Sequence, residues 1–191
     1  MRLWLFAPSS LLLLLLFSGC AEPPHKEMDQ AQGAIDAAQA AGADRYATSE
    51  YSAATEALEN ARTAATASDH RLALSYALES REHAQNAARN AADEKVRVRI
   101  DVEHASTELT ALIAEGRSLL DAAAHGGASR ARLEQPALDL TAAEAHLQEA
   151  GEAEETGDYL GASAPLEEVR IQIEQATTSI RDALPLPPSG R

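Results

Sequence analysis

Between Asp69 and His125 no proline occurs, and an apolar residue returns at every seventh position: Ala77, Ala84, Ala91, Val98, Ala105, Leu112 and Leu119. Seven residues make nearly two helical turns, so such a row stays on one side of a helix and asks for neighbours along its whole length. The spacing predicts one long helix, which at about 1.5 Å per residue would be a rod of roughly 85 Å. Its middle, Asp93 to Val102, alternates with a period of two and in isolation reads as a strand. The seven-residue row crosses it through Ala91, Val98 and Ala105 without a change of phase, and no turn residues flank it, so helix is expected there as well.

The remaining helices follow from periodicity and stop signals. Ala31, Ala34, Ile35, Ala38 and Ala41 give a first helix over 28–41, closed by Gly42, and 42–47 reads as a connection. Tyr51, Ala54, Leu58, Ala61 and Ala65 give a second helix, capped at Thr48 or Ser49 and ending near Ser68, and Asp69 is placed to cap the long helix. Leu72, Tyr76, Ala77 and Ala84 are its expected core positions in the first third, and Val102, Leu109, Leu112, Ile113, Leu119, Leu120 and Ala123 in the last, with Gly116 tolerated at about 1 kcal/mol. After His125-Gly126-Gly127, a loop over 128–134 leads to Pro136 in the first turn of a fourth helix carrying Leu140, Ala143, Leu147 and Ala150 and fraying over 151–157. A fifth helix begins at Asp158 with Tyr159, Ala162, Leu166, Val169, Ile173 and Ile180, and Pro165 predicts a kink or a late start.

A shift of 89 residues superimposes much of the two halves. Asp69 falls on Asp158, Ala73 on Ala162, Leu58 on Leu147, Ala54 on Ala143, Ala61 on Ala150 and Arg81 on Arg170. The expected fold is all-α, an elongated helical bundle of two three-helix repeats sharing one long central helix. Burying an alanine gains only about 0.8 kcal/mol, so helices of this kind gain from close approach, with axes near 8 Å apart. The domain reading is a signal peptide over 1–19, a tether over 20–27, a first repeat over 28–92, a charged middle over 93–101, a second repeat over 102–184 and a proline-rich tail over 185–191.

The run Ala34-Ile35-Asp36-Ala37-Ala38 through Gly42-Ala43, Arg45-Tyr46-Ala47, Tyr51, Ala54, Leu58, Ala61, Ser68-Asp69 and Ala73 resembles the Ala-rich domain-of-unknown-function family 4398 of Gram-negative bacterial lipoproteins. The resemblance covers roughly 28–92 and, more weakly, 119–176. Some members precede an OmpA-like peptidoglycan-binding domain; no stretch of this sequence resembles one. The family brings no catalytic residues.

The amino terminus fits that setting. Arg2 precedes the apolar run Leu11 to Phe17, too short to span a bilayer, which needs about 20 residues, so a cleaved secretory signal is expected. Leu16-Phe17-Ser18-Gly19-Cys20 resembles a bacterial lipobox, departing from it at Phe17. Cys20 is the sole cysteine, and the resemblance implies three acyl chains on it, a durable anchor. Ala21 and Glu22 lack the aspartate that commonly retains such proteins in the inner membrane, which implies the outer membrane, with the body facing the periplasm.

Charge narrows the partners. The chain carries a net charge of −14, and removing 1–19 leaves 30 acidic against 15 basic side chains. Such a polyanion disfavours nucleic acid and anionic lipid surfaces as partners. His83, His104, His125 and His146 recur every 21 residues, about 31 Å along a helix, too far to share a metal. Glu149, Glu152, Glu154, Glu155 and Asp158 lack the spacing of a calcium loop. No nucleophile or phosphate-loop motif stands out, so no catalytic, cofactor-binding or metal-ligating residue is expected, and the one site residue is Cys20. The reading is a lipid-anchored, non-catalytic structural or interaction protein of the cell envelope. Its partners would be the membrane, through lipid on Cys20, an envelope protein or the cell wall, and a second copy of itself. The alternative is a tetratricopeptide-like binding module, suggested by Thr66-Ala67-Ser68-Asp69 and Glu155-Thr156-Gly157-Asp158, although the 34-residue period is missing.

Overall fold

The computed structural model describes residues 22–184. Six helices follow one another: α1 (His25–Ala40), α2 (Ala43–Tyr46), α3 (Thr48–Thr66), α4 (His70–His125), α5 (Arg130–Glu155) and α6 (Tyr159–Ala183). No strand occurs among the described residues. The alternating segment 93–102 is helical within α4, which runs unbroken for 56 residues. The chain divides into two compact units, up to Ala92 and from Asp93 onward. In each, part of α4 joins the other helices of that unit.

Unit 1 is seamed by alanine. Ala31, Ile35 and Ala38 of α1, Ala54, Leu58 and Ala61 of α3, and Ala73, Ala77, Ala84, Ala87 and Ala91 of α4 are buried. Ser80 joins them, its Oγ donating to the Ala54 carbonyl at 2.7 Å. Leucine does not enter this seam on α4: Leu72, expected in the core, is 36% exposed, and Leu74 and Leu78 lie outside it too. On α3 the stripe runs through Ala57 and Ala64, and Ala65 is only half-buried. The large side chains of the seam, Ile35 and Leu58, come from α1 and α3, and α4 meets them with small residues.

Unit 2 is built with larger side chains. Val102, Leu109 and Ile113 of α4 meet Leu133, Leu140 and Ala143 of α5 and Leu166, Val169, Ile173 and Ile180 of α6. The seven-residue row is fully buried at Ala77, Ala84 and Ala91 but only half-buried at Val98, Ala105, Leu112 and Leu119. An undistorted helix drifts by about 20° per seven residues, so no strict heptad row stays innermost over such a length. In unit 2 the innermost line runs four residues on, through Val102, Leu109, Gly116 and Ala123. Gly116 is part of that line for a packing reason: a Cβ there would lie 2.9 Å from Leu140 Cδ2.

The helix ends differ from expectation at several points. The connection 42–47 contains α2, one turn that buries Ala43 and follows Gly42 at φ 85°. α5 starts at Arg130, six residues before Pro136, because Leu133 is drawn into the core and pulls the expected loop into helix. Pro136 therefore sits in the second turn, not the first. α5 also runs through Gly151 to Glu155 rather than fraying, with Glu154 held by the Ser106 hydroxyl at 2.6 Å. α6 runs through Pro165 from Tyr159 onward, without a late start. Each proline deprives the carbonyl four residues back of its helical partner, and those carbonyls belong to exposed residues, Arg132 and Gly161, so neither lies on a buried residue.

The duplication is written into the turns. At the α3–α4 turn the backbone N–H groups of Ala67, Ser68 and Asp69 donate to the carbonyls of Thr63, Ala65 and Ala64; at the α5–α6 turn Thr156, Gly157 and Asp158 donate to Glu152, Glu154 and Ala153. Every one of these pairs is 89 residues apart. Ser68 and Gly157 share the left-handed conformation, at φ 61° and 78°. Asp69 caps α4 by accepting from the Leu72 N–H at 3.0 Å, and Asp158 caps α6 from Gly161 at 3.1 Å. The buried α4 positions of unit 1, Ala73, Ala77, Ser80, Ala84, Ala87 and Ala91, fall on Ala162, Leu166, Val169, Ile173, Ala176 and Ile180 of α6, all buried. The first helix of each repeat follows a shorter shift. Gly42 matches Gly127 (φ 87°), and the bonds Ala41 to Ala37 and Gly42 to Gln39 recur as Gly126 to Ala122 and Gly127 to Ala124, 85 residues on.

Two sets of substitutions test this account by equilibrium denaturation. Gly157→Ser places an L-residue where the backbone is left-handed and is expected to cost about 1 kcal/mol, whereas Ser68→Gly is expected to be neutral or to gain up to about that amount. In the cores, Ile173→Ala is expected to cost about 2–5 kcal/mol, and Ser80→Ala at most about 1 kcal/mol, because the Ala54 carbonyl keeps its place in the α3 ladder.

Candidate interaction surfaces

Cys20, the expected lipidation site, lies outside the described residues, as do 1–19 and 185–191. The segment that follows it does enter the structure: 22–24 is non-helical, and Pro24 is buried where α1 begins. Among the described residues no group of three or more His, Cys, Asp or Glu side chains is placed to hold a metal ion. The four histidines have separate surroundings. His83 Nδ1 is 2.8 Å from a Glu50 carboxylate oxygen, and His125 Nδ1 is 2.8 Å from the Asp121 carbonyl. His104 is exposed, and His146 encloses an Nδ1 with no partner. The acidic residues near the α5–α6 turn serve the fold, Glu154 through Ser106 and Asp158 as the cap of α6.

The charged groups of unit 2 are tied across helices. Arg170 on α6 donates through both terminal nitrogens to the Glu108 carboxylate on α4, each at 3.0 Å. Arg117 on α4 grips Glu144 on α5 at 2.9 and 2.8 Å and also donates to Thr141. The hydrogen bond from Arg170, and then its charge, hold the Glu108 carboxyl below the usual glutamate range. The hydrogen bond from Arg117 lowers Glu144 in the same way, against a smaller upward push from burial. Sequence periodicity did not single out these pairs, since each joins residues of different helices.

Three surfaces remain open. In unit 2, α4 and α5 border a groove of about 1080 Å³ with Leu120, Ala124, Leu133 and Leu138 along it and Arg117 and Arg130 at its sides. Farther toward the start of that unit, Val96 and Ile100 stand 49% and 53% exposed within the charged stretch. In unit 1, Leu72, Leu74 and Leu78 are exposed on the first turns of α4. Between residues 22 and 184, unit 2 carries 19 acidic against 8 basic side chains and unit 1 carries 11 against 6, so the negative charge is concentrated in unit 2. No helix among the described residues is long and apolar enough to cross a membrane.

Residues 26–102 match the family described as a domain of unknown function, DUF4398. That stretch is similar to a DUF4398 domain. The match spans α1 from its second residue, all of α2 and α3, and the start of α4 up to Val102. The helices beyond it repeat its turn geometry at the offsets given above. No curated protein and no solved structure matches the chain.

Because the Glu108 carboxyl is lower in the folded protein than in the unfolded chain, its pair with Arg170 stabilises the fold above the usual glutamate pKa, about 4.3, and that contribution is lost as pH falls through the lowered value. The thermal midpoint, followed by circular dichroism between pH 7 and pH 2.5, is expected to fall most steeply below about pH 4. Glu108→Gln together with Glu144→Gln should flatten that part of the profile.

Proposed function

We propose that this protein is a lipid-anchored, non-catalytic scaffold of the Gram-negative cell envelope, held at the outer membrane through acylated Cys20 with its helices in the periplasm. The observation that carries the reading is the lipobox-like Leu16-Phe17-Ser18-Gly19-Cys20 only a few residues ahead of Pro24, where the folded body begins. Acyl chains on Cys20 would tie a preformed helical domain to the bilayer without a spanning segment. The DUF4398 match is consistent with this reading, and the strong negative charge disfavours nucleic acid as a partner. The scaffold would act through its exposed helix faces, on an envelope protein, on the cell wall or on a second copy of the chain.

A second reading, a tetratricopeptide-like module that binds a peptide or protein, draws on the α4–α5 groove of unit 2. An open apolar channel flanked by charged side chains suits an amphipathic helix. In-cell crosslinking from Leu138 separates the two: a discrete peptide partner in the groove favours the module, and crosslinks spread over many helix faces favour the scaffold.

Anchoring is tested by fractionation and acyl labelling. The native protein is expected in the outer-membrane fraction and to take up labelled palmitate; Cys20→Ser is expected to lose the label and to leave the membrane fraction. A Cys20→Ser protein that stays with the membrane would overturn the reading.

A further inference from the structure

We infer that the end of unit 1 carrying Arg71, Leu74 and Leu78 rests against the phospholipid surface in which Cys20 is anchored, an inference that depends on the lipidation proposed above. From Cys20 to Pro24 there are four Cα steps of about 3.8 Å, a reach of at most about 15 Å. Pro24 is buried on the domain, so the chain has no slack beyond it. The acyl anchor therefore holds the start of α1 within about 15 Å of the headgroups.

The same end of the unit is where α4 begins. Ala38 packs with Ala87 and Ala91, Ala31 and Ile35 with Ala84, and Gln30 accepts a hydrogen bond from Arg81 at 2.9 Å. α1 and α4 thus run parallel, with α4 residues about 50 numbers ahead lying level with those of α1. Carried back to Pro24, that register puts the first two turns of α4 and the Ala67-Ser68-Asp69 turn at the tethered end. There Leu72, Leu74 and Leu78 are 36%, 37% and 41% exposed. Arg71, Leu74, Ser75 and Leu78 share one face by helical spacing.

A bilayer fits this patch better than a protein does. The gap the tether allows is little more than the 10–12 Å width of a single helix, which leaves no room for a folded partner. Exposed leucines beside cations are the composition of a surface that seats at the headgroup boundary. Lys26 and Arg71 make no ion pair among the described residues and are available to phosphate groups. The long-range field of the acidic chain opposes an anionic surface, so the leucines supply the attraction and the cations place it.

The test uses the acylated full protein reconstituted in phosphatidylethanolamine–phosphatidylglycerol vesicles. Acylation leaves Cys20 without a free thiol, so a maleimide dye reports on a single introduced cysteine. Iodide quenching at Ser75→Cys is expected to be at least about threefold weaker than at Asn90→Cys, an exposed site about 22 Å further along α4. Adding Leu74→Glu and Leu78→Glu to Ser75→Cys is expected to bring its quenching up to the Asn90→Cys level, with helix content unchanged by circular dichroism. Mass spectrometry of the same preparation reads acylation separately. An acylated protein that is quenched equally at both sites, or whose protection survives the glutamates, overturns the contact and leaves anchoring intact. A protein without acyl chains overturns the anchoring and the contact with it.

Discussion

Close approach through small side chains governs this fold. An alanine contributes little apolar area, so unit 1 holds together only if its helices come near enough for backbones to touch. The buried α4 positions Ala73, Ala77, Ala84, Ala87 and Ala91, with Ser80 among them, meet that condition, and the Ser80 bond to Ala54 shows how tight the α3–α4 contact is. On α4 the buried line is taken by these small residues, and Leu72, Leu74 and Leu78 lie outside it.

Unit 2 solves the same topology with volume. Where unit 1 has Ala77, Ser80, Ala84 and Ala91, the corresponding positions hold Leu166, Val169, Ile173 and Ile180. Larger knobs need wider spacing, and Gly116 restores local closeness where Leu140 leans over α4. The ion pairs Arg170–Glu108 and Arg117–Glu144 then bridge helices at the margins of that core. At exposed positions such pairs add modest stability and more geometric definition.

Much of this was legible in the residues. The long helix, the all-α class, the Asp69 cap and the α6 core stripe follow from period and stop signals, and the structure contains them. What escaped has physical causes. Leu72 looked like core because hydrophobicity was weighed above size, whereas on α4 the seam takes small residues. Pro136 and Pro165 looked like boundaries because a lost backbone bond was weighed without asking whether the freed carbonyl lies on a buried residue. α2 is a single turn, too short to show a period. The cross-helix pairs join residues between 27 and 62 positions apart, beyond the reach of any local pattern. Of the candidate surfaces, Val96 and Ile100 lie in the charged middle read from sequence, while the α4–α5 groove depends on how two helices splay.

The two offsets, 85 residues from Gly42 to Gly127 and 89 from Ser68 to Gly157, mean that the second repeat holds four more residues between its glycine turn and its hairpin. Four residues advance a helix by slightly more than one turn and rotate its face by only about 40°, so an apolar stripe survives the change. Two residues would rotate it by about 200° and carry the stripe into water. The difference between the copies thus marks which length changes the architecture accepts: steps near a whole number of turns are absorbed as extra helix, and intermediate steps have to be taken up in a loop.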